Sequence, residues 1–400
     1  MKKFLFLTAA AVAVFASCAK TIDNTKNTGP GEAISFGVYT ARNATKAVSS
    51  TTFGSINTDA LLQASEGFGV FAYYSDAVLP DGSAGSTGYV ADPGNTPNSN
   101  FTPNFMYNQL VEYDTDHWTY APVKYWPNEY NTSDAIGAGV DKLTFFAYAP
   151  YVAAVGDEGI TAFSANNATG DPTLTFKVPA DKANQIDLLW SDANTKNMVK
   201  PVISTPVHFT FKHVLSNLTI LPVAVVDAKT TIPASSGTDV DAATVVKINS
   251  ITLTGQFNQE GTLNLATGEW DSSAAASDQT VSWTPAGGFA VDDYNDKAEI
   301  NAYYAANAGV LPEFMFVPSS SADKDYVITI DYDFITTDAK LAAAATVHNV
   351  IHKTLEDVEF EKGKKMKLYV GLGMTSIVLS AEVADWTDDT PADVWLPVNL

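Results

Sequence analysis

The chain has one cysteine among its 400 residues, and its only arginine is Arg42. A lone cysteine, Cys18, can form no internal disulfide, although an exported protein would tolerate one. Positive charge is scarce: 23 Lys and Arg stand against 45 Asp and Glu, for a formal net charge of −22. That balance excludes nucleic acid as a partner, because there is too little positive charge to release counterions from phosphate. No apolar run after the first residues is long enough to cross a bilayer as a helix. Nor does any segment sustain a helical period of useful length. There is no Gly-rich phosphate loop, no nucleophile-elbow serine and no zinc signature. Nothing in the sequence asks for a cofactor, a metal or a catalytic residue, and the chain reads as a non-enzyme.

What is present starts with an export signal. Lys2 and Lys3 precede an apolar run over 4–16, and small residues follow at Ala16 and Ser17. Residues 1–17 therefore read as a secretory signal peptide. Phe15-Ala16-Ser17-Cys18 resembles a bacterial lipobox, with Phe15 where Leu is usual. Cys18 would then be the lipidated N-terminus, holding the protein at the outer membrane through its lipid. The alternative is an ordinary signal peptide with a cysteine nearby. Residues 18–33 are polar and rich in Gly and Pro, which makes a tether.

The mature chain has room for two domains of ordinary size. Plentiful aromatics and sparse charge suit β-rich domains with buried faces. Strand periods recur along the chain. Ile34, Phe36 and Val38 alternate with more polar neighbours, and residues 67–74 form a further run. Residues 142–150 (KLTFFAYAP) are apolar on both faces, as in a central buried strand. Short strands are expected at 174–178 and 186–190. Val207, Phe209 and Phe211 share a face, which then switches to Val214, Leu218 and Ile220; a bulge or a change of sheet is expected there. Residues 246–254 and 261–265 read as a hairpin. Tyr326, Ile328, Ile330, Tyr332 and Phe334 alternate cleanly, and so do 366–372 and 377–383. Many short strands with regular turn signals predict β-sandwiches. Prolines near 201–206 place the boundary, giving an N-terminal domain over 34–203 and a C-terminal domain over 204–400.

Both ends of the mature chain carry features that suit assembly. In the last eleven residues (TPADVWLPVNL) Val394, Leu396, Val398 and Leu400 share one face, and Pro397 removes one ladder donor. Such a strand can complete a partner's sheet, its backbone bonding and its alternate side chains filling pockets. Four side chains at roughly 1.5–3 kcal/mol each set an upper limit of about 6–12 kcal/mol before ordering costs. It can equally be an edge strand of its own domain. At the other end, Arg42 follows the first strand. A protease specific for arginine would have one target, and its cut would free Ile34, Phe36 and Val38 to leave. A plain surface arginine is the alternative.

Several segments together resemble the fimbrillin family of Bacteroidales bacteria, the Mfa-like pilus subunits. They are the lipobox; 67–74; Trp118-Thr119-Tyr120-Ala121-Pro122 with Lys124-Tyr125-Trp126-Pro127; 143–150 (LTFFAYAP); 209–218 (FTFKHVLSNL); and 360–386, with Lys362-Gly363-Lys364 and the closing Val383-Ala384-Asp385-Trp386. The resemblance implies an all-β fold of two tandem transthyretin-like, Greek-key β-sandwich domains. It also implies export as a lipoprotein, removal of the N-terminal segment by a trypsin-like protease, and polymerisation by strand exchange over residues 390–400. Partners would be other pilus subunits, with a ligand on a host or bacterial surface as a further class. Arg42 matches the cleavage position. The family often has Thr-Arg-Ala here, whereas this chain has Thr45-Lys46-Ala47, so Lys46 is the alternative site. An uncleaved protein would be a pilus anchor or a lone surface lipoprotein.

Other residue groups offer less chemistry. His348 and His352 at i, i+4 would hold a metal on a helix but lie apart on a strand. His213 beside Phe211 suits a core histidine. Asp331 and Asp333 share a strand face, as paired carboxylates do in glycosidases, yet the opposite face is the apolar one. Trp118, Tyr125 and Trp126 suit core packing better than a sugar platform, which would instead make a glycan-binding lipoprotein.

Overall fold

A computed structural model describes residues 33–40, 67–75, 88–89, 101–127, 141–191, 195–201, 204–224, 243–272, 277–291, 297–306, 312–318, 325–337, 343–356, 358–373 and 377–385. The first half contributes β1 (Phe36–Thr40), β2 (Phe68–Ser75), β3 (Met106–Asp114), β4 (His117–Thr119), β5 (Lys142–Ala149), β6 (Gly159–Phe163), β7 (Thr173–Lys177) and β8 (Leu189–Ser191). There follow β9 (Val207–His213), β10 (Ser216–Ala224), β11 (Ala243–Gly255), β12 (Glu260–Asn264), β13 (Trp270–Ser272), β14 (Gln279–Trp283) and β15 (Phe289–Val291). The chain then forms a helix, α1 (Lys297–Ala306), before β16 (Glu313–Phe316), β17 (Tyr326–Thr337), β18 (Ala345–Leu355), β19 (Lys364–Leu372) and β20 (Ile377–Asp385). The fold is all-β, as the alternation predicts. Among the described residues no helix is long and apolar enough to cross a membrane.

Two pairs of facing sheets account for these strands. A seven-stranded sheet in the order β1-β9-β8-β5-β2-β3-β4 packs against a four-stranded sheet, β13-β12-β7-β6. Phe71, Tyr73, Phe146 and Tyr148 on the first meet Leu174, Phe176 and Leu263 on the second. The other pair sets β16-β10-β19-β20 against β14-β11-β17-β18, with β15 also on β11. Its core joins Leu218, Ile220 and Leu368 to Ile251, Leu253, Ile328, Ile330 and Tyr332. β5 is buried on both faces, which is why its sequence shows no alternation.

The strands do not part at 203/204, where the prolines place a boundary. β9 pairs with β1 and β8 in the first sheet, and β12 pairs with β7. Residues 246–254 and 261–265 are therefore not a hairpin: β11 pairs with β14, β15 and β17 instead. Periodicity shows which face of a strand is apolar but not which sheet covers it, so these partners were not readable. The switch of face after Phe211 does mark a change of sheet, from β9 to β10. β16 serves both cores: Phe314 and Phe316 enter the second, while Met315 and Val317 enter the first. Beside them Glu313 Oε1 accepts from Asn217 Nδ2 at 2.6 Å and Lys365 Nζ at 3.0 Å. Burial alone would raise the Glu313 carboxyl, but the Lys365 charge and these bonds together hold it below its ordinary 4.5.

The helix was not expected. α1 covers the outer face of β10 and β19; among its described side chains two are buried, Ile300 and Tyr304, against Leu221, Val223 and Tyr369. Two anchors on a ten-residue, alanine-rich segment are too few to show as a period.

Candidate assembly groove

β1 is the end strand of the seven-stranded sheet, paired in parallel with β9 from Phe36↔Val207 to Thr40↔Phe211. Val207 N donates to Ser35 O at 2.8 Å. The other side of this segment is not open. Residues 120–127, which leave β4, pass back over it as a strap: Ile34 N donates to Lys124 O at 2.9 Å, and Ala33 bridges Tyr125. The entering chain thus lies between β9 and the strap, filling a slot in the sheet.

The slot is lined by aromatic rings. Phe36 is 5% exposed and stacks on Phe209, with centroids 5.6 Å apart. Tyr120 lies at 5.2 Å, Phe145 at 5.9 Å and Phe68 at 6.3 Å. Ile34 is also buried, and Val38 packs against the same core. Burying Ile34 and Phe36 contributes roughly 1.5–3 kcal/mol each. Gly37 faces outward against His208, where a Cβ would stand 2.5 Å from the imidazole Nδ1. The strap is itself anchored: Trp126 packs on Phe145 at 6.0 Å, and Gln109 Nε2 donates to Ala121 O at 3.0 Å. Burial pushes the Tyr120 phenol above its ordinary 10.0, so it keeps its proton and stays a donor.

The structure thus brings Ile34, Phe36 and Val38 together in one core. Cys18, Arg42, Lys46, Val394, Leu396, Val398 and Leu400 lie outside the described residues. β1 ends at Thr40, two positions before Arg42. The groove's walls, Phe68, Tyr120, Phe145 and Phe209, were not singled out as a site from sequence. Their alternation places them in cores, but nothing local assigns them to β1.

Among the described residues the other candidates take separate places. Trp126 is 3% exposed, and Trp118 packs partly buried against Phe68, so these two form no platform with the exposed Tyr125. His213 Nδ1 lies 2.8 Å from Oδ2 of the fully buried Asp187. His348 and His352 share a face of β18 but bond different partners, Asp333 and Thr329. Asp331 and Asp333 lie on the outer side of β17, where Asn249 Nδ2 donates to both, at 3.0 and 3.1 Å.

His348 Nδ1 donates to Asp333 Oδ1 at 2.9 Å and lies 3.6 Å from Asp331 Oδ1. The Asp333 hydrogen bond raises His348 above its ordinary 6.5, and the bonds from His348 and Asn249 hold Asp333 below 3.8. The histidine's contribution is present below 6.5 and is lost as pH rises through its raised value. The carboxylate's is present above 3.8 and is lost as pH falls through its lowered value. The pair is therefore strongest between those limits. A proton NMR titration should place the His348 midpoint above 6.5, and Asp333→Asn should return it toward 6.5. An unchanged midpoint in the variant would show that the bond does not form in solution. The melting temperature should barely move, because the pair is solvent-exposed.

A family profile described as fimbrillin-like matches residues 45–386. The fimbrium subunit Fim1C of Phocaeicola vulgatus is 27% identical over 371 residues, covering 86% of this chain and 88% of its own. Among solved structures, a fimbrial protein from Bacteroides vulgatus superposes with a TM-score of 0.58 at 21% identity, over 89% of this chain and 99% of that one. A cell adhesion protein from Bacteroides ovatus, described as putative, has a TM-score of 0.44 at 15% identity, over 90% and 99%. With a profile match across most of its length, this all-β chain, whose first strand fills a slot in its own sheet, belongs to the fimbrillin-like family.

Proposed function

We propose that this protein is a structural subunit, shaft or tip, of a cell-surface adhesive pilus. It is exported as a lipoprotein through Cys18, cut after Arg42 and joined to its neighbour by strand exchange. The observation that carries this reading is the position of β1. It is the end strand of its sheet, it fills an aromatic-lined slot, and it stops two residues before the chain's only arginine. Loss of this strand exposes Phe68, Tyr120, Phe145 and Phe209, together with the unpaired edge of β9. An open edge over an apolar groove is what an incoming strand recognises. The tail then supplies Val394, Leu396, Val398 and Leu400. The relative Fim1C is named a fimbrium subunit, which supports assembly at the cell surface and a structural, non-enzymatic role.

Mass spectrometry of the protein taken from intact cells tests the reading. The expected N-terminus is Asn43, or Ala47 if Lys46 is the site used. A lipidated Cys18 still attached to the whole population would overturn strand removal and leave an unprocessed anchor.

A further inference from the structure

The slot is bounded by a ladder on one side and a strap on the other, and one side chain serves the strap and β1 together. Tyr120 Oη lies 2.9 Å from Ile34 O, 3.2 Å from Lys124 N and 3.3 Å from Lys124 O. A phenol has one proton to give and lone pairs to receive. Its hydroxyl therefore accepts from the Lys124 amide and donates to one carbonyl at a time, the nearer being that of Ile34. The Ile34 N–H in turn donates to Lys124 O. Both main-chain groups of residue 34 are thus held by the strap, whereas the Ser35 carbonyl is taken by β9. The Tyr120 ring forms one wall of the Phe36 socket.

We propose that Tyr120 is the positioning residue of this slot: its hydroxyl clamps the main-chain carbonyl of the strand residue at the place of Ile34. The contact involves backbone only, so it does not depend on the side chains of the strand. It can hold β1 and, equally, a replacement of different sequence. In an extended strand successive carbonyls point to opposite sides. The hydroxyl therefore selects strands whose inward-facing residues turn their carbonyls to the strap. A strand entering in the opposite direction would turn those carbonyls to β9 and lose the clamp, while one slipped by a residue would keep it and turn its apolar side chains outward. For β1 this needs only the geometry above; for an incoming strand it rests on the replacement reading.

Tyr120→Phe keeps the ring and deletes the clamp. In the uncut full chain, hydrogen exchange at the Ile34 and Lys124 amides should speed about tenfold, as expected for one lost hydrogen bond to a buried group. The Phe145 amide, which bonds Thr195 O away from the strap, should change less than about twofold by the same measure. Unchanged exchange at Ile34 and Lys124, or an equal rise at Phe145, would overturn the clamp.

A second arm cuts the full chain with an arginine-specific protease and follows departure of the piece ending at Arg42. That piece should leave about tenfold faster from the Tyr120→Phe chain. Equal departure rates would overturn the clamp while cleavage stands. Failure to cut at Arg42 would count against the processing reading, and the exchange arm would still decide the role of Tyr120.

Discussion

Deleting residues 394–400 should abolish polymer formation and leave a folded monomer. Four inward side chains supply an upper limit of about 6–12 kcal/mol to the proposed joint, which corresponds to roughly four to nine powers of ten in affinity. Without them an emptied groove has no strand to accept. Folding should survive, because on this reading the tail takes its place in a neighbour's groove. Among the described residues, Ala381 and Val383 are the last packed against the second core. Light scattering after proteolytic cutting measures the polymer, and circular dichroism measures the fold. Polymers from the truncated chain would remove the tail's donor role. A truncated chain that no longer folds would instead place the tail in its own sandwich. Leu396→Asp, which keeps the length and changes one anchor, should block polymers while leaving the melt unchanged if the tail donates.

Phe36→Ala should loosen β1 without unfolding the protein. The ring meets four aromatic neighbours inside the slot, and truncating a buried Phe costs about 3–5 kcal/mol. Because β1 is an end strand, that cost is expected in local detachment, which needs less free energy than global unfolding. Exchange of the Val207 amide, which bonds Ser35 O, should rise by roughly two to four powers of ten. Cleavage after Arg42 should quicken for the same reason. Polymers formed after the cut should be unaltered, since Phe36 leaves with the discarded piece. A drop in the main melting transition with unchanged Val207 exchange would make β1 part of the central folding unit and remove its role as a replaceable strand.

These expectations depend on what the tail lacks. By alternation its Val and Leu residues share one face, and its one aromatic, Trp395, falls on the other. A Leu or Val in the Phe36 socket would leave part of that space unfilled, so on the proposed reading an intact first strand would compete well against a neighbour's tail. Cleavage would then act as the switch, by converting a tethered competitor into one that can diffuse away.

The inward face of β1 and the apolar pattern of β17 follow from local alternation, and the two-sided burial of β5 from its absence, because a strand's period is written in its own residues. So did the change of sheet after Phe211, where the apolar face reverses. The family resemblance, too, was legible in short segments whose order runs along the chain. What the sequence did not disclose was partnership. Tyr120 meets Ile34 across 86 residues, and the 120–127 strap reads only as aromatic and proline-rich chain. The same holds for β12, which joins β7 and not β11. An aromatic side chain carries a strong drive to be buried but no address, so hydrophobicity determined that these residues lie inside. Only the tertiary structure, by bringing distant backbone donors and acceptors into register, decided that β9 and the strap enclose the first strand between them.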